Sequence, residues 1–90
     1  MRKIKKYVKE RDEMLKKCDV NELRKFVNAH KDYYSADYIE AFNEASDEVL
    51  LATLHKMIVN VTSLPFKMRE KSAHWLIDRG YSLNIWFDND

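Results

Sequence analysis

Apolar residues recur at helical spacing along most of the chain, and most densely over residues 46–61. At about 100° per residue, Leu50, Leu51, Leu54, Met57, Ile58 and Val61 fall on one stripe. Val49, Ala52 and Val59 lie off it, so the segment is apolar on more than one side, interrupted by Glu48, Thr53, His55, Lys56 and Asn60. A helix of this kind gains little from one neighbour and belongs at the centre of a small all-helical domain. Ser46 is placed to cap it, and Asp47 and Glu48 put carboxylates where the helix dipole favours them.

The same reading divides the rest of the chain. Residues 3–17 form a first helix, with Ile4, Tyr7, Val8, Met14, Leu15 and Cys18 on one arc. Arg2, Lys5, Lys6, Lys9, Lys16 and Lys17 cover the other side, and Arg11 falls in the middle of the apolar arc. A charge there needs a partner, and Glu44 or Asp47 is the expected one. Asp19 caps a second helix with Glu22 in capping-box spacing, and its stripe is Val20, Leu23, Phe26 and Val27, with His30 on the same side. After a short connection at 31–34, Ser35 caps a third helix, 36–45, whose Tyr38, Ile39, Ala41, Phe42 and Ala45 oppose Asp37, Glu40 and Glu44. The central helix follows with almost no loop, which implies a tight helical corner. Residues 65–79 form a fifth helix, opened by Pro65 and ended by Gly80 in the position of a left-handed C-cap. Phe66, Ala73, Leu76 and Ile77 are expected to face the core, leaving Met68 and Trp75 on the opposite side near Arg79.

Beyond Gly80 the period changes. Tyr81, Leu83, Ile85 and Phe87 alternate with Ser82, Asn84, Trp86 and Asp88. One strand-like segment has nothing to pair with in a helical domain, so it lies extended across the helices or pairs with another chain. The expectation is therefore an all-α fold, residues 1–90 forming a single compact bundle of about five short helices with an extended C-terminal tail over 81–90.

Composition narrows the class without naming a function. One glycine and one proline are too few for a loop-rich β-sandwich or a disordered linker. A lone cysteine excludes an internal disulfide framework and suits a reducing compartment. The first residues lack the apolar core of a secretory signal, and no run is apolar enough to span a membrane, so a cytoplasmic protein is expected. The net charge of +1 hides a strong polarity along the chain. Residues 1–31 hold eleven Lys/Arg against five Asp/Glu, whereas residues 32–55 hold six acids and no Lys or Arg. Such blocks attract each other within a monomer or between copies.

No catalytic or ligand motif stands out. His30, His55 and His74 are widely separated and lack neighbouring ligands at metal spacing. His74 and Asp78, four apart on one helix, have the spacing of a His–carboxylate pair with no nucleophile tied to it; a surface helix pair is the simpler reading. Cys18 follows Lys16 and Lys17, which would lower its pKa, yet it also falls on an apolar arc, where it would act as a small buried hydrophobe. Glycine loops for phosphate, Walker motifs and nucleophile elbows are missing. Neither a cofactor nor an enzymatic activity is expected.

Two surfaces remain as candidates. Met68, Trp75 and Arg79, together with Ile85, Trp86 and Phe87 in the tail, are the residue types from which protein–protein hot spots are built. They point to a protein partner or a second copy of the chain. The alternative is nucleic acid held by Arg2, Lys5, Lys6, Lys9, Lys16 and Lys17 of the first helix, binding that would be salt-sensitive and indifferent to sequence. Fragments beginning at Lys16, Glu44 and Trp75 each resemble part of an ankyrin repeat. The Thr-Pro-Leu-His signature is absent and the spacing falls short of the family's repeat, so no function is carried over.

Overall fold

The computed structural model describes residues 2–84. Within them the chain forms five α-helices, α1 (Arg2–Lys17), α2 (Val20–Ala29), α3 (Ala36–Glu44), α4 (Asp47–Asn60) and α5 (Phe66–Asp78), with a 3-10 turn at Lys31–Tyr33 between α2 and α3. No strand occurs among the described residues. The all-α bundle expected from the periodicity is what the chain adopts.

Capping side chains begin three of the helices. Asp19 accepts a hydrogen bond from the Asn21 amide at 2.7 Å, Ser35 from Tyr38 at 3.1 Å, and Ser46 from Val49 at 3.2 Å. Each satisfies one amide that a helix start leaves unpaired. Glu22 does not complete a capping box; it pairs with Lys17 at 3.4 Å and Lys25 at 3.8 Å. α5 ends in a Schellman turn. Gly80, at φ +81°, donates to the Ile77 carbonyl, and Tyr81 reaches back to that of Leu76. Glycine is required there because a Cβ would crowd the backbone at that angle.

α4 is the centre of the molecule. Leu50, Leu54 and Ile58 are fully or almost fully buried in a core with Met14 and Leu15 of α1, Leu23, Phe26 and Val27 of α2, Phe42 of α3 and Leu64. Leu51, Met57 and Val61 pack against that core, as the stripe anticipates. On its other flank α4 also buries Ala52, His55 and Lys56, and this second flank receives α5. Val49 stays open to solvent.

α5 is rotated about its axis relative to the sequence expectation: Leu76 is buried and Ala73 half-buried as expected, but the other two residues of that face are not. Phe66 and Ile77 are exposed at 70% and 57%, whereas Ser72 and Leu76 are buried and Met68 and Trp75 are half-buried on the α4 side. The reason is polar. His55 Nδ1 on α4 lies 2.9 Å from Ser72 Oγ, and the Arg69 guanidinium donates to the Val59 carbonyl at 3.3 Å. The apolar residues of α5 spread over more than half of its circumference, leaving Lys67, Glu70, Lys71, His74 and Asp78 on the remaining arc, so periodicity alone does not fix which part of that wide arc is buried. The pairing of a buried histidine with a buried serine favours the face that is used.

Three further expectations are corrected. Arg11 is held by its neighbour Asp12 at 3.0 Å, and neither Glu44 nor Asp47 reaches it. Asp47 instead pairs with Arg24 at 2.8 Å, and the same guanidinium donates to the Ala45 carbonyl at 2.8 Å. Cys18 is exposed, because α1 ends at Lys17 and Cys18 turns into the left-handed region at φ +50°, out of phase with the apolar arc. Ile4 stands beyond the packed part of α1 and is 57% exposed. After the Schellman turn the chain runs back along α4, where the Leu83 carbonyl accepts from Asn60 Nδ2 at 3.0 Å. Residues 81–84 thus lie against α4 without regular secondary structure, with a bend at Leu83, and the rest of the expected extended tail, 85–90, lies outside the described residues.

Candidate functional site

The ends of three helices meet around a groove of about 680 Å³. Val20 opens α2, Asp47, Glu48 and Leu51 come from the first turns of α4, and Trp75, Arg79 and Tyr81 follow from the end of α5 and the turn beyond. Val20 and Leu51, both partly buried, give the groove apolar lining from two helices. Trp75 is the anchor. Its indole stacks on His55 at 4.2 Å between centroids and lies nearly parallel to Tyr81 at 6.1 Å. The Arg79 guanidinium sits 4.1 Å from the indole centroid and donates to the Trp75 carbonyl at 3.1 Å. A cation held on an aromatic face in this way keeps a large ring in one orientation beside solvent. Asp47 is committed to Arg24, but Glu48 makes no ion pair among the described residues.

Behind the groove, His55 and Ser72 stand at the distance of a base and a nucleophile, yet the serine is only 3% exposed and the ring 8%. A substrate carbonyl has no access to that oxygen. Burial, and secondarily the Arg79 charge, push the His55 pKa below its ordinary value, so the ring is neutral at pH 7. The pair is a cross-link between α4 and α5. Sequence reasoning missed it, although a signal was present: Ser72 stands in the i+4 row Met68–Ser72–Leu76, where a small polar residue needs a partner.

At the other end of α1 a cluster of aromatic rings fills the space between α1, α2 and the 3-10 turn. The Tyr7 and Tyr34 hydroxyls are 2.7 Å apart, Tyr7 stacks on Tyr33 at 4.2 Å, and His30 lies tilted by 30° against Phe26 at 4.2 Å. Burial and the Tyr7 hydrogen bond raise the Tyr34 pKa well above the usual tyrosine range, so the phenol stays protonated. His30 is engaged at both nitrogens, Nδ1 by the Phe26 carbonyl at 2.8 Å and Nε2 by Glu10 at 3.0 Å. The adjoining hollow, about 220 Å³, is below the size of an ordinary small-molecule pocket. No three His, Cys, Asp or Glu side chains gather as a metal site would need among the described residues.

The structure brings only part of the anticipated binding set together. Trp75 and Arg79 line the groove, whereas Met68 packs against the core. Ile85, Trp86 and Phe87 lie outside the described residues, as does the side chain of Arg2. Lys5, Lys6, Lys9, Lys16 and Lys17 are all exposed on α1. Lys17 is bound to Glu22, and Asp12 and Glu13 interrupt the row. His74 and Asp78 are both exposed and make no hydrogen bond to each other. Cys18 does not become an activated thiol: partial burial of the sulfur raises its pKa against the opposing charge of Lys71. No helix among the described residues is long and apolar enough to cross a membrane. Comparison with protein families, with curated proteins and with solved structures gives no match.

Proposed function

We propose that this domain works by holding another protein and performs no chemistry of its own. The partner would lay a peptide segment in the groove of Val20, Leu51, Trp75, Arg79 and Tyr81, in what we take to be the cytoplasm, where a free thiol such as Cys18 persists. The observation that carries the reading is the groove itself. An aromatic anchor fixed by a cation, an apolar lining and an unpaired carboxylate at the rim are the elements from which protein-binding sites are assembled. Because Asp47 and Arg79 already have partners, the complementary segment carries an apolar side chain for Val20 and Leu51 and a base for Glu48. The commitment of both His30 nitrogens and the burial of Ser72 support the absence of catalysis.

The test is selection of a random peptide library on the wild-type domain, with counter-selection on Glu48→Lys combined with Leu51→Ser. Both positions line the groove, and neither belongs to the fully buried core. Peptides joining an apolar residue to a lysine or arginine are expected, with affinity falling about tenfold or more on the double variant. Peptides that bind both forms equally would place the partner elsewhere.

A further inference from the structure

Two helix faces on this protein are charged in opposite senses and do not meet. On α3, Asp37, Glu40 and Glu44 are exposed at i, i+3 and i+7, and so are the small Ala36 and Ala41, the latter expected on the opposing apolar face. None of the three carboxylates makes an ion pair among the described residues, and Tyr38 at their edge is 41% exposed. On α1, exposed Ile4 and half-buried Val8 line a groove of about 530 Å³ bounded by Lys5, Lys9 and Lys16. Asp12 and Glu13 also border it, Asp12 being tied to Arg11 and to Ser63. Lys5, Lys9 and Lys16 make no ion pair among the described residues either.

Lys16 in the last turn of α1 and Asp37 in the first turn of α3 suit the dipoles of their helices, but the remaining charges of the two faces do not. α1 has no acid in its first turn and α3 has no base in its last, where Glu44 stands at the negative end of the dipole. Lys5 and Lys9 repel one another at i,i+4, as do Glu40 and Glu44. Among the described residues, the ion pair that joins the acidic segment to the basic first third of the chain is Arg24–Asp47, which involves neither face. Within one molecule, then, no ion pair among the described residues joins the two faces, and on α1 only Asp12 and Glu13 offset the lysines.

We propose that α3 of one copy docks on α1 of a second copy, its carboxylates against Lys5, Lys9 and Lys16, covering Ile4 and Val8. The occupant follows from charge complementarity: an acidic helix face fits an apolar groove rimmed by lysines, and the chain supplies one of each. The two patches are different surfaces, so the contact is heterologous and each bound copy leaves one α1 and one α3 face free. Copies therefore add head to tail, in a ring or an open chain, with a strength that salt weakens. This inference is independent of the peptide groove.

Sedimentation velocity across protein and salt concentration tests it, using four forms. Wild type should grow in average mass with concentration, with association weakened about tenfold or more between low and high salt. Lys5→Glu with Lys9→Glu should be monomeric, and so should Glu40→Lys with Glu44→Lys; mixing these two should restore association, because each now carries the charge the other lacks. Lys67→Glu with Lys71→Glu on exposed positions of α5 changes net charge equally and should associate like wild type. Melting curves establish that every form is folded, and neutral Gln replacements substitute for any that is not. A wild type that stays monomeric at high concentration and low salt overturns the proposal, as does a mixture that fails to associate. Single-stranded DNA that binds wild type and the α3 variant but not the α1 variant would overturn it by assigning α1 to nucleic acid. The groove variant Glu48→Lys with Leu51→Ser should still self-associate, so failure at one surface leaves the other standing.

Discussion

Replacing Leu54 with alanine should lower the free energy of unfolding by about 2–5 kcal/mol. Leu54 is fully buried on α4, one turn from Leu50 and from Ile58, in the core where α1, α2 and α4 meet. Truncation removes the transfer free energy of the side chain and leaves a cavity that three converging helices cannot close. A domain of this size has about 5–15 kcal/mol in total, so the loss is a large share, and the melting temperature should fall by about 10 °C or more. Val49→Ala, on the same helix but 53% exposed, should change stability by about 0.5 kcal/mol or less. Urea denaturation of the two variants beside wild type decides the matter. Equal midpoints for all three would mean that α4 is not the centre of the fold.

Ser72→Ala should cost about 1–3 kcal/mol, because it leaves the buried His55 Nδ1 without its partner. The same site also makes stability depend on pH, with a definite sign. The folded pKa of His55 lies below the ordinary 6.5, so between the two values the unfolded chain binds more protons than the folded one. Stability therefore rises with pH through this window and is complete above about 6.5; it is lost as pH falls from there through the folded value. The charge facing the ring comes from Arg79 on α5, while Ser72 and Trp75 are its neutral neighbours. Unfolding free energies of wild type and His55→Gln, compared from about pH 5 to 8, isolate this group from the carboxylates. Wild type should lose its advantage toward the acid side. A constant difference across the range would show that His55 is not held neutral.

What could be read from the chain beforehand, and what could not, follows from where each signal resides. Asp19, Ser35, Ser46 and Gly80 act on their own helix ends, and a residue that acts locally can be read locally. The stripe of α4 was equally plain because six apolar residues share one angle. On α5 the apolar arc is wider than one core face, so Leu76 is legible as core but the exposure of Phe66 and Ile77 is not; the buried Ser72 has its partner in His55, seventeen positions away in the chain. Arg11 and Arg24 illustrate the same limit: which guanidinium meets Asp47 depends on the angle of the α3–α4 corner, which no spacing encodes. Of the binding residues, Trp75 and Arg79 were legible as residue types. Their companions Val20, Leu51 and Tyr81 come from three separate segments, brought together only by the packing of α2 and α5 on α4.

The Arg24 guanidinium grips the carbonyl of Ala45, the C-cap of α3, and the first carboxylate of α4, Asp47, across a corner with almost no loop. α3 is thereby tied at its C-terminal end to the start of α4. Beyond this clasp, α3 is held by the amide pair Asn28–Asn43 at 2.9 Å, by Phe42 and half-buried Ile39 in the core, and by the stack of Tyr38 on Tyr34 at 5.1 Å, a lighter attachment than that of α4. The backbone amides of α3 should thus exchange with solvent well before those of α4.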